Sequence, residues 1–294
     1  MVLGWKLASL FISSNSKILS SRFAIVTPIT SIPKGVRHIV FCSGSGISNS
    51  DNNIHNSMSL SSSSPKSKED MDIVVTQGVD LEKFYGEETA KMYAGMMDDE
   101  MKKVIPDLQI LLDTIPPPND DGTILDTCVG SGHMLEWIYE KTKGKYPMHG
   151  IDLSTDMLNQ ARKRLSKSST TGKTVVVLGQ GNMLETNKLP LKPNSCVAIL
   201  NTFALHHATP KQAERAIHDW SLLLKEGGCM YLGVWEGKGY MEEYPPGTKT
   251  LYHSEDDMKR WIESAGLQII MSRTQVEEEM GNINTLYIIC QKKK

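Results

Sequence analysis

Seven short β-rich runs, separated mostly by helical stretches, restrict the folds open to this chain more than any other feature of its sequence. They are "TILDT" (123–127), "MHGID" (148–152), "TVVVLG" (174–179), "CVAILNT" (196–202), "CMYLGVW" (229–235), "LQIIMSR" (267–273) and "TLYIIC" (285–290). Most are apolar throughout rather than alternating, the pattern of strands covered on both faces. Helices are expected at 133–142, at 154–166 behind a Ser154 cap, at 210–225 with Pro in the first turn and Gly227-Gly228 beyond the end, and at 254–265 between Ser254 and Gly266. Such alternation predicts an α/β fold: a doubly wound, mostly parallel seven-stranded sheet with helices on both faces. Only residues 274–284 join the last two runs, too few for a crossover helix, so a hairpin should place one antiparallel strand near the C-terminus.

Ahead of the sheet, residues 81–115 are helical in composition and interrupted once, at Pro106. They predict an N-terminal helical cap over 80–115, because ligands of open α/β sheets bind beyond the carboxyl ends of the strands. Tyr85 and Tyr93, eight residues apart, are expected on one face of a single helix. Between the fifth strand and the last helix, residues 236–257 are expected to lack regular structure and, as a long loop carrying Tyr240, Tyr244 and Tyr252, to bind something. His133, Trp137, Trp220 and Trp261 fall at helical spacing and are expected in the core or on the surface rather than in a site.

Charge divides the chain. Residues 1–50 hold five Lys or Arg and no acid, leaving 27 basic against 34 acidic residues in the remainder. An acidic body argues against nucleic-acid binding, which needs clustered cations. The basic leader, apolar residues interleaved with Ser, has the pattern of an organelle transit peptide over 1–42, for a mitochondrion first, with plastid and then cytosol as alternatives. Residues 43–71 are Ser/Asn-rich with little to bury and are expected to be a disordered linker. The folded domain is then 72–294. No run approaches ~20 apolar residues, so no transmembrane segment is expected. The five cysteines show no zinc-type spacing, so neither a metal site nor a disulfide framework is expected.

The chemistry-bearing stretch is "ILDTCVGSGHM" (124–134), a strand that runs into Asp126 and then loses its side chains at Gly130 and Gly132. A plain tight turn, a phosphate cradle and a site where another ligand touches bare backbone are the alternatives. No Gly-Lys-Ser/Thr follows, which removes the Walker loop, and the third glycine of a dinucleotide fingerprint is absent. At the carboxyl end of a first strand, missing Cβ atoms let backbone approach a ligand.

These residues resemble motif I of the class I S-adenosylmethionine-dependent methyltransferases, in particular the small-molecule enzymes of the type 11/25 kind. "GIDLSTDMLNQARKRL" resembles the second strand and its helix, with Asp152 at the strand tip. "GNMLETNKLPLKPNSCVAILNTFALHHATPKQAERAIHDWSLLLKEGGCMYLGVW" resembles the third motif region, the fourth strand with its His-containing loop, and the helix before strand five. The resemblance covers roughly 80–290. It implies an enzyme that binds S-adenosyl-L-methionine, with Gly130 and Gly132 beneath its amino-acid and ribose part. Asp126 would fix the loop or reach the methionine ammonium, Asp152 would take the ribose hydroxyls, and Asn182 and Met183 would flank adenine. Tyr85 and Tyr93 would each point a hydroxyl at the methionine carboxylate. Cys128 stands where the family usually has its first motif glycine, and Cys196 where an acid often begins strand four.

Methyl transfer from a sulfonium is an in-line displacement that asks mainly for positioning and exclusion of water. A hydroxyl or thiol acceptor also needs a base, and His206 or His207, just past the fourth strand, is the candidate. Shaping the loop and packing on the cofactor is the other use open to that pair. With no inserted domain and no basic groove, the acceptor expected is a small molecule. Two further readings remain: a catalytically silent methyltransferase-like assembly factor in mitochondria, and a nicotinamide-dependent oxidoreductase, which shares the sheet but wants the missing glycine.

Overall fold

The computed structural model describes residues 80–118, 122–168, 176–243, 248–278 and 282–293. The leader, the linker and the start assigned to the domain at residue 72 lie outside the described residues. The elements run α1 (Leu81–Phe84), α2 (Glu87–Thr114), β1 (Thr123–Asp126), α3 (His133–Thr142), β2 (Met148–Asp152), α4 (Thr155–Ser168), β3 (Val176–Gln180) and a 3-10 turn (Met183–Lys188). They continue with β4 (Cys196–Thr202), a second 3-10 turn (Leu205–His207), α5 (Pro210–Leu223), β5 (Leu224–Glu236), β6 (Tyr240–Glu243), β7 (Thr248–Leu251), α6 (Glu255–Ser264), β8 (Leu267–Glu277) and β9 (Ile283–Lys292).

One sheet of seven strands holds the fold together, in the order β3-β2-β1-β4-β5-β9-β8. The first five pair in parallel, while β9 runs antiparallel to both β5 and β8. The expected hairpin is therefore β8–β9, and β9 is the one reversed strand. Helix starts follow the Ser154 and Ser254 caps read from the sequence, and Thr209 adds a cap that the sequence reading did not name. Ser154 Oγ accepts from Met157 N–H, Thr209 and Gln212 form a capping box ahead of Pro210, and Ser254 Oγ accepts from Asp257 N–H.

Alternation along each central strand sends side chains into two separate cores. Ile124, Met148, Tyr231 and Ile289 pack on one face against Leu108 of α2, Leu135 and Ile138 of α3 and Leu158 of α4. Leu125, Ile199, Leu232 and Ile288 pack on the other against Ile217 and Trp220 of α5 and Met258, Trp261 and Ile262 of α6. Trp220 and Trp261 are thus core residues. Cys196 and Cys290 are buried as free thiols in the same core, and Cys229 in the core on the other face.

Three expectations are corrected. Pro106 does not interrupt the cap, because α2 runs unbroken from Glu87 to Thr114 with Pro106 inside it. Val104, Asp107, Leu108 and Leu111 are buried around the proline, and their packing outweighs the one backbone bond it cannot donate. Tyr85 and Tyr93 do not share a helix: Tyr85 ends the four-residue α1, Gly86 intervenes in extended backbone, and Tyr93 lies in α2. Finally, the stretch 236–257 is not without regular structure, since β6 and β7 form an antiparallel hairpin there. The four-residue runs "YMEE" and "TKTL" are too short and too polar in composition to be recognised as strands from the sequence.

Candidate functional site

In the strand order, β1 lies between β2 and β4, where the direction of winding reverses. Crevices at such points are where open α/β sheets take ligands. Asp126 ends β1 and Asp152 ends β2, so both carboxylates arrive at the same rim. Asp126 is 1% exposed and its Oδ1 accepts from Cys128 N–H at 3.1 Å, while its Oδ2 is buried without a partner. Burial pushes this carboxyl up to about 7, against the Cys128 hydrogen bond, with Asp152 nearby adding to the rise.

The turn between strand and helix is closed by Asp152. Its Oδ2 accepts from Gly130 N–H at 2.8 Å and its Oδ1 from Ser154 N–H at 2.9 Å. Gly130 and Gly132 both take positive φ, +52° and +86°. At Gly132 an added Cβ would also stand 3.1 Å from Ala161 Cα in α4, so the second glycine lets α3 and α4 meet. Cys128 does not turn its thiol into the core. Its Sγ lies 3.8 Å from Asp152 Oδ2, on the side of the rim.

His206 and His207 form the 3-10 turn just past β4. His206 is 4% exposed, and its Nε2 lies 3.0 Å from His207 Nε2. Burial lowers both rings, His207 to about 4. Neither Nδ1 atom has a partner, nor does Asn201 Oδ1 on β4. Among the described residues five buried side-chain polar atoms lack a hydrogen-bond partner, and four of them, on Asp126, Asn201, His206 and His207, belong to the carboxyl ends of the adjacent strands β1 and β4. Unsatisfied buried polar atoms are costly, and such a gathering is the mark of a site.

The cap covers this rim. Tyr85 O accepts from Ser154 Oγ at 2.6 Å, and the Tyr85 hydroxyl reaches His207 Nε2 at 3.0 Å. The Tyr93 ring packs directly on Gly130, 3.4 Å from the point a Cβ would occupy. A ligand lying along that backbone must therefore displace the Tyr93 ring. Asn182 and Met183 stand farther along, at the end of β3. The Asn182 carboxamide accepts from Leu184 N–H as an ordinary cap, and Met183 O accepts from the indole of Trp220.

Two groups of residues escaped the sequence reading. Asn201 sits among apolar neighbours in β4, and its Nδ2 donates to Thr127 Oγ1 at 2.9 Å. His133, 5% exposed, joins the glycine turn to the cap: its Nδ1 lies 2.9 Å from Ser131 Oγ and its Nε2 3.0 Å from Asp98 Oδ1. Asp98 and His133 are 35 residues apart, so no local spacing announces the pair.

The state of Asp126 is open to measurement. Its folded value of about 7 lies above the ordinary 3.8, so the stability it contributes is complete below about 3.8 and is lost as pH rises through about 7. Asp126→Asn removes that titration. In thermal melts of the ligand-free protein, the variant should gain on the native protein between pH 4 and 7.5. A constant gap in melting temperature across that range would show that Asp126 ionises normally.

Comparison with known proteins agrees with this architecture. Residues 124–228 match the methyltransferase domain family. A methyltransferase of Geobacillus sp. (strain WCH70) is 29% identical over 130 residues, 44% of this chain and 54% of its own. One from Anoxybacillus flavithermus is 28% identical over 131 residues, 45% of this chain and 55% of its own. The chain thus spans about half the length of these relatives. Among solved structures, a SAM-dependent methyltransferase of Methanosarcina mazei superposes with a TM-score of 0.51 at 19% identity, covering 63% of this chain and 97% of that one. A chain in the complex of the Haloferax volcanii Trm112 activator with a methyltransferase gives 0.55 at 17%, covering 73% and 98%. Residues 124–228 are therefore similar to a methyltransferase domain, and the chain has the fold of the SAM-dependent methyltransferase structures.

Proposed function

We propose that the protein is an S-adenosyl-L-methionine-dependent methyltransferase that acts on a small-molecule acceptor by in-line transfer. The observation that carries this reading is the set of unpartnered buried atoms on Asp126, Asn201, His206 and His207 at the winding reversal, beside backbone left bare by Gly130. The residues present fit that cofactor. Asp126 Oδ2, buried without a partner, offers a carboxylate to an ammonium group. Asp152 Oδ1 holds one backbone N–H and keeps a lone pair for a ribose hydroxyl, and Oδ2, held by Gly130 N–H and by the weak Cys128 thiol donor, can exchange the thiol for a second hydroxyl. Gly130 and Gly132 make the floor, Tyr85 and Tyr93 the cover on the methionine side, and Asn182 with Met183 the flank for adenine.

The bound cofactor supplies an activated methyl group. The protein's own part is to orient the acceptor, keep water out beneath the cap, and accept a proton when the acceptor releases one. His206 and His207, held neutral by burial, are the groups able to accept it. The net acidic charge of the chain beyond residue 50 supports a small acceptor over a nucleic acid.

The test is calorimetric titration of the full chain with S-adenosylmethionine, followed by incubation with the methyl-labelled compound and a metabolite extract. Binding at one site, with label passing to a compound resolved by mass spectrometry, is the expected result. No heat of binding would overturn the reading. Binding without transfer would favour the silent assembly factor.

A further inference from the structure

The floor of the site is covered, and the part of the cap that covers it is held differently from the rest. The Tyr93 ring lies on Gly130, 3.4 Å from the point a Cβ would occupy, so the bare backbone open to a ligand is already taken. Tyr93 must leave before anything can lie there.

The two halves of the cap are anchored by different forces. Met101, Val104, Leu108 and Leu111 of α2 are buried in the core on that face of the sheet. Ahead of Met101, α1 buries no residue and α2 buries only Ala90. Polar contacts hold this N-terminal half instead. Tyr85 O accepts from Ser154 Oγ at 2.6 Å, and the Tyr85 hydroxyl lies 3.0 Å from His207 Nε2. Glu82 Oε1 accepts from Thr155 Oγ1 at 3.2 Å and from Gln180 Nε2 at 3.1 Å. Water can take over such bonds when they break, whereas buried apolar area has no substitute in water. A segment with few buried apolar contacts opens at lower free energy than the core.

Gly95 marks the border between the halves. It is exposed within the helix, and a Cβ built on it meets nothing within 4 Å, so no close approach calls for a glycine. Alanine would serve the closed helix better, because glycine weakens a helix against unwinding. The use of the glycine therefore lies in another state of the chain. Just beyond it the helix is pinned. Asp98 Oδ1 accepts from His133 Nε2 at 3.0 Å and from Arg164 Nη2 at 3.2 Å, while His133 Nδ1 lies 2.9 Å from Ser131 Oγ in the glycine turn itself. Tyr93 thus stands on one side of the weak point and the pin on the other.

We propose that residues 80–94 are a lid that turns about Gly95, lifting Tyr85 and Tyr93 from the floor to admit and release the cofactor, while Asp98 and His133 hold the rest of α2 to the glycine turn. The motion breaks the contacts of Glu82 and Tyr85 and uncovers Ala90, and it leaves the apolar half of α2 in place. The identity of the molecule admitted rests on the methyltransferase reading; the motion does not.

Hydrogen exchange on the ligand-free full chain tests the motion without any cofactor. Amides of residues 91–97 should exchange through local opening, faster than those of 102–112, and Gly95→Ala should slow the first group and leave the second unchanged. Folding is not at risk in this variant, since alanine is the better helix former and its Cβ meets open space. Equal protection of the two groups in the native protein overturns the lid. Uptake and release of methyl-tritiated S-adenosylmethionine test its use. Whether the lid closes on an empty or an occupied floor, residue 95 is helical, so Gly95→Ala should slow uptake and release together by roughly fivefold, with affinity unchanged. Native rates in the variant would mean that the Tyr93 ring swings aside alone, and overturn the proposal; a change in one rate only does the same. Failure to bind S-adenosylmethionine overturns the methyltransferase reading, and the exchange pattern then decides the lid by itself.

Discussion

Replacing Asp152 with Ala should weaken S-adenosylmethionine binding by roughly a hundredfold, the larger of the binding effects available at this rim. The size follows from two hydrogen bonds to a carboxylate at ~1.5 kcal/mol each, together ~3 kcal/mol, or about a hundredfold in affinity. The effect has a second source. Asp152 Oδ2 and Oδ1 also tie down Gly130 N–H and Ser154 N–H, so the alanine releases the glycine turn on which the ligand lies. Asp152→Asn separates the two contributions. Its single remaining oxygen keeps one backbone contact and one ligand contact without charge, and an intermediate affinity is expected. Calorimetry on the three proteins, with melting curves to confirm that each is folded, decides the matter. An Ala variant that folds and binds as tightly as the native protein would remove Asp152 from the ligand and leave it as a turn brace.

The same carboxylate shows what the sequence makes legible. Asp126, Gly130, Gly132 and Asp152 come to one rim from two strand ends and one turn, each a short stretch that can be read locally. The parallel core strands are equally plain, since burial on both faces leaves apolar runs such as "VAIL" in β4. Long-range pairings leave no such trace. His207 meets Tyr85 across 122 positions, and nothing in either neighbourhood reveals that Tyr85 turns to the fourth strand rather than standing with Tyr93 on one helix. Pro106 misleads for the opposite reason: a local rule is correct about the lost hydrogen bond, but tertiary packing of α2 decides the outcome.

Asp107→Ala tests what that packing depends on. Asp107 is 3% exposed on α2, where it accepts from Arg273 Nε at 2.9 and 3.0 Å, from Arg273 Nη2 at 2.6 Å and from the Tyr231 hydroxyl at 2.9 Å. Arg273 in turn donates to Lys103 O and lies over the Tyr287 ring at 4.1 Å. Strands β5, β8 and β9 are thereby joined to the cap through one carboxylate. Removing it leaves a guanidinium and a buried phenol without their acceptor, a loss of about 3–5 kcal/mol for a buried pair. The Arg273 side chain is 29% exposed, and water reaching it holds the expected loss to ~3 kcal/mol. For a domain of this size that lowers the melting temperature by roughly 6–12 °C. Adding Arg273→Met to Asp107→Ala should restore part of the loss, because an apolar replacement carries no stranded charge. Hydrogen exchange should quicken along α2 in the single variant. A melting temperature within about 2 °C of the native value would mean that the apolar face of α2, through Val104, Leu108 and Leu111, holds the cap without the ion pair.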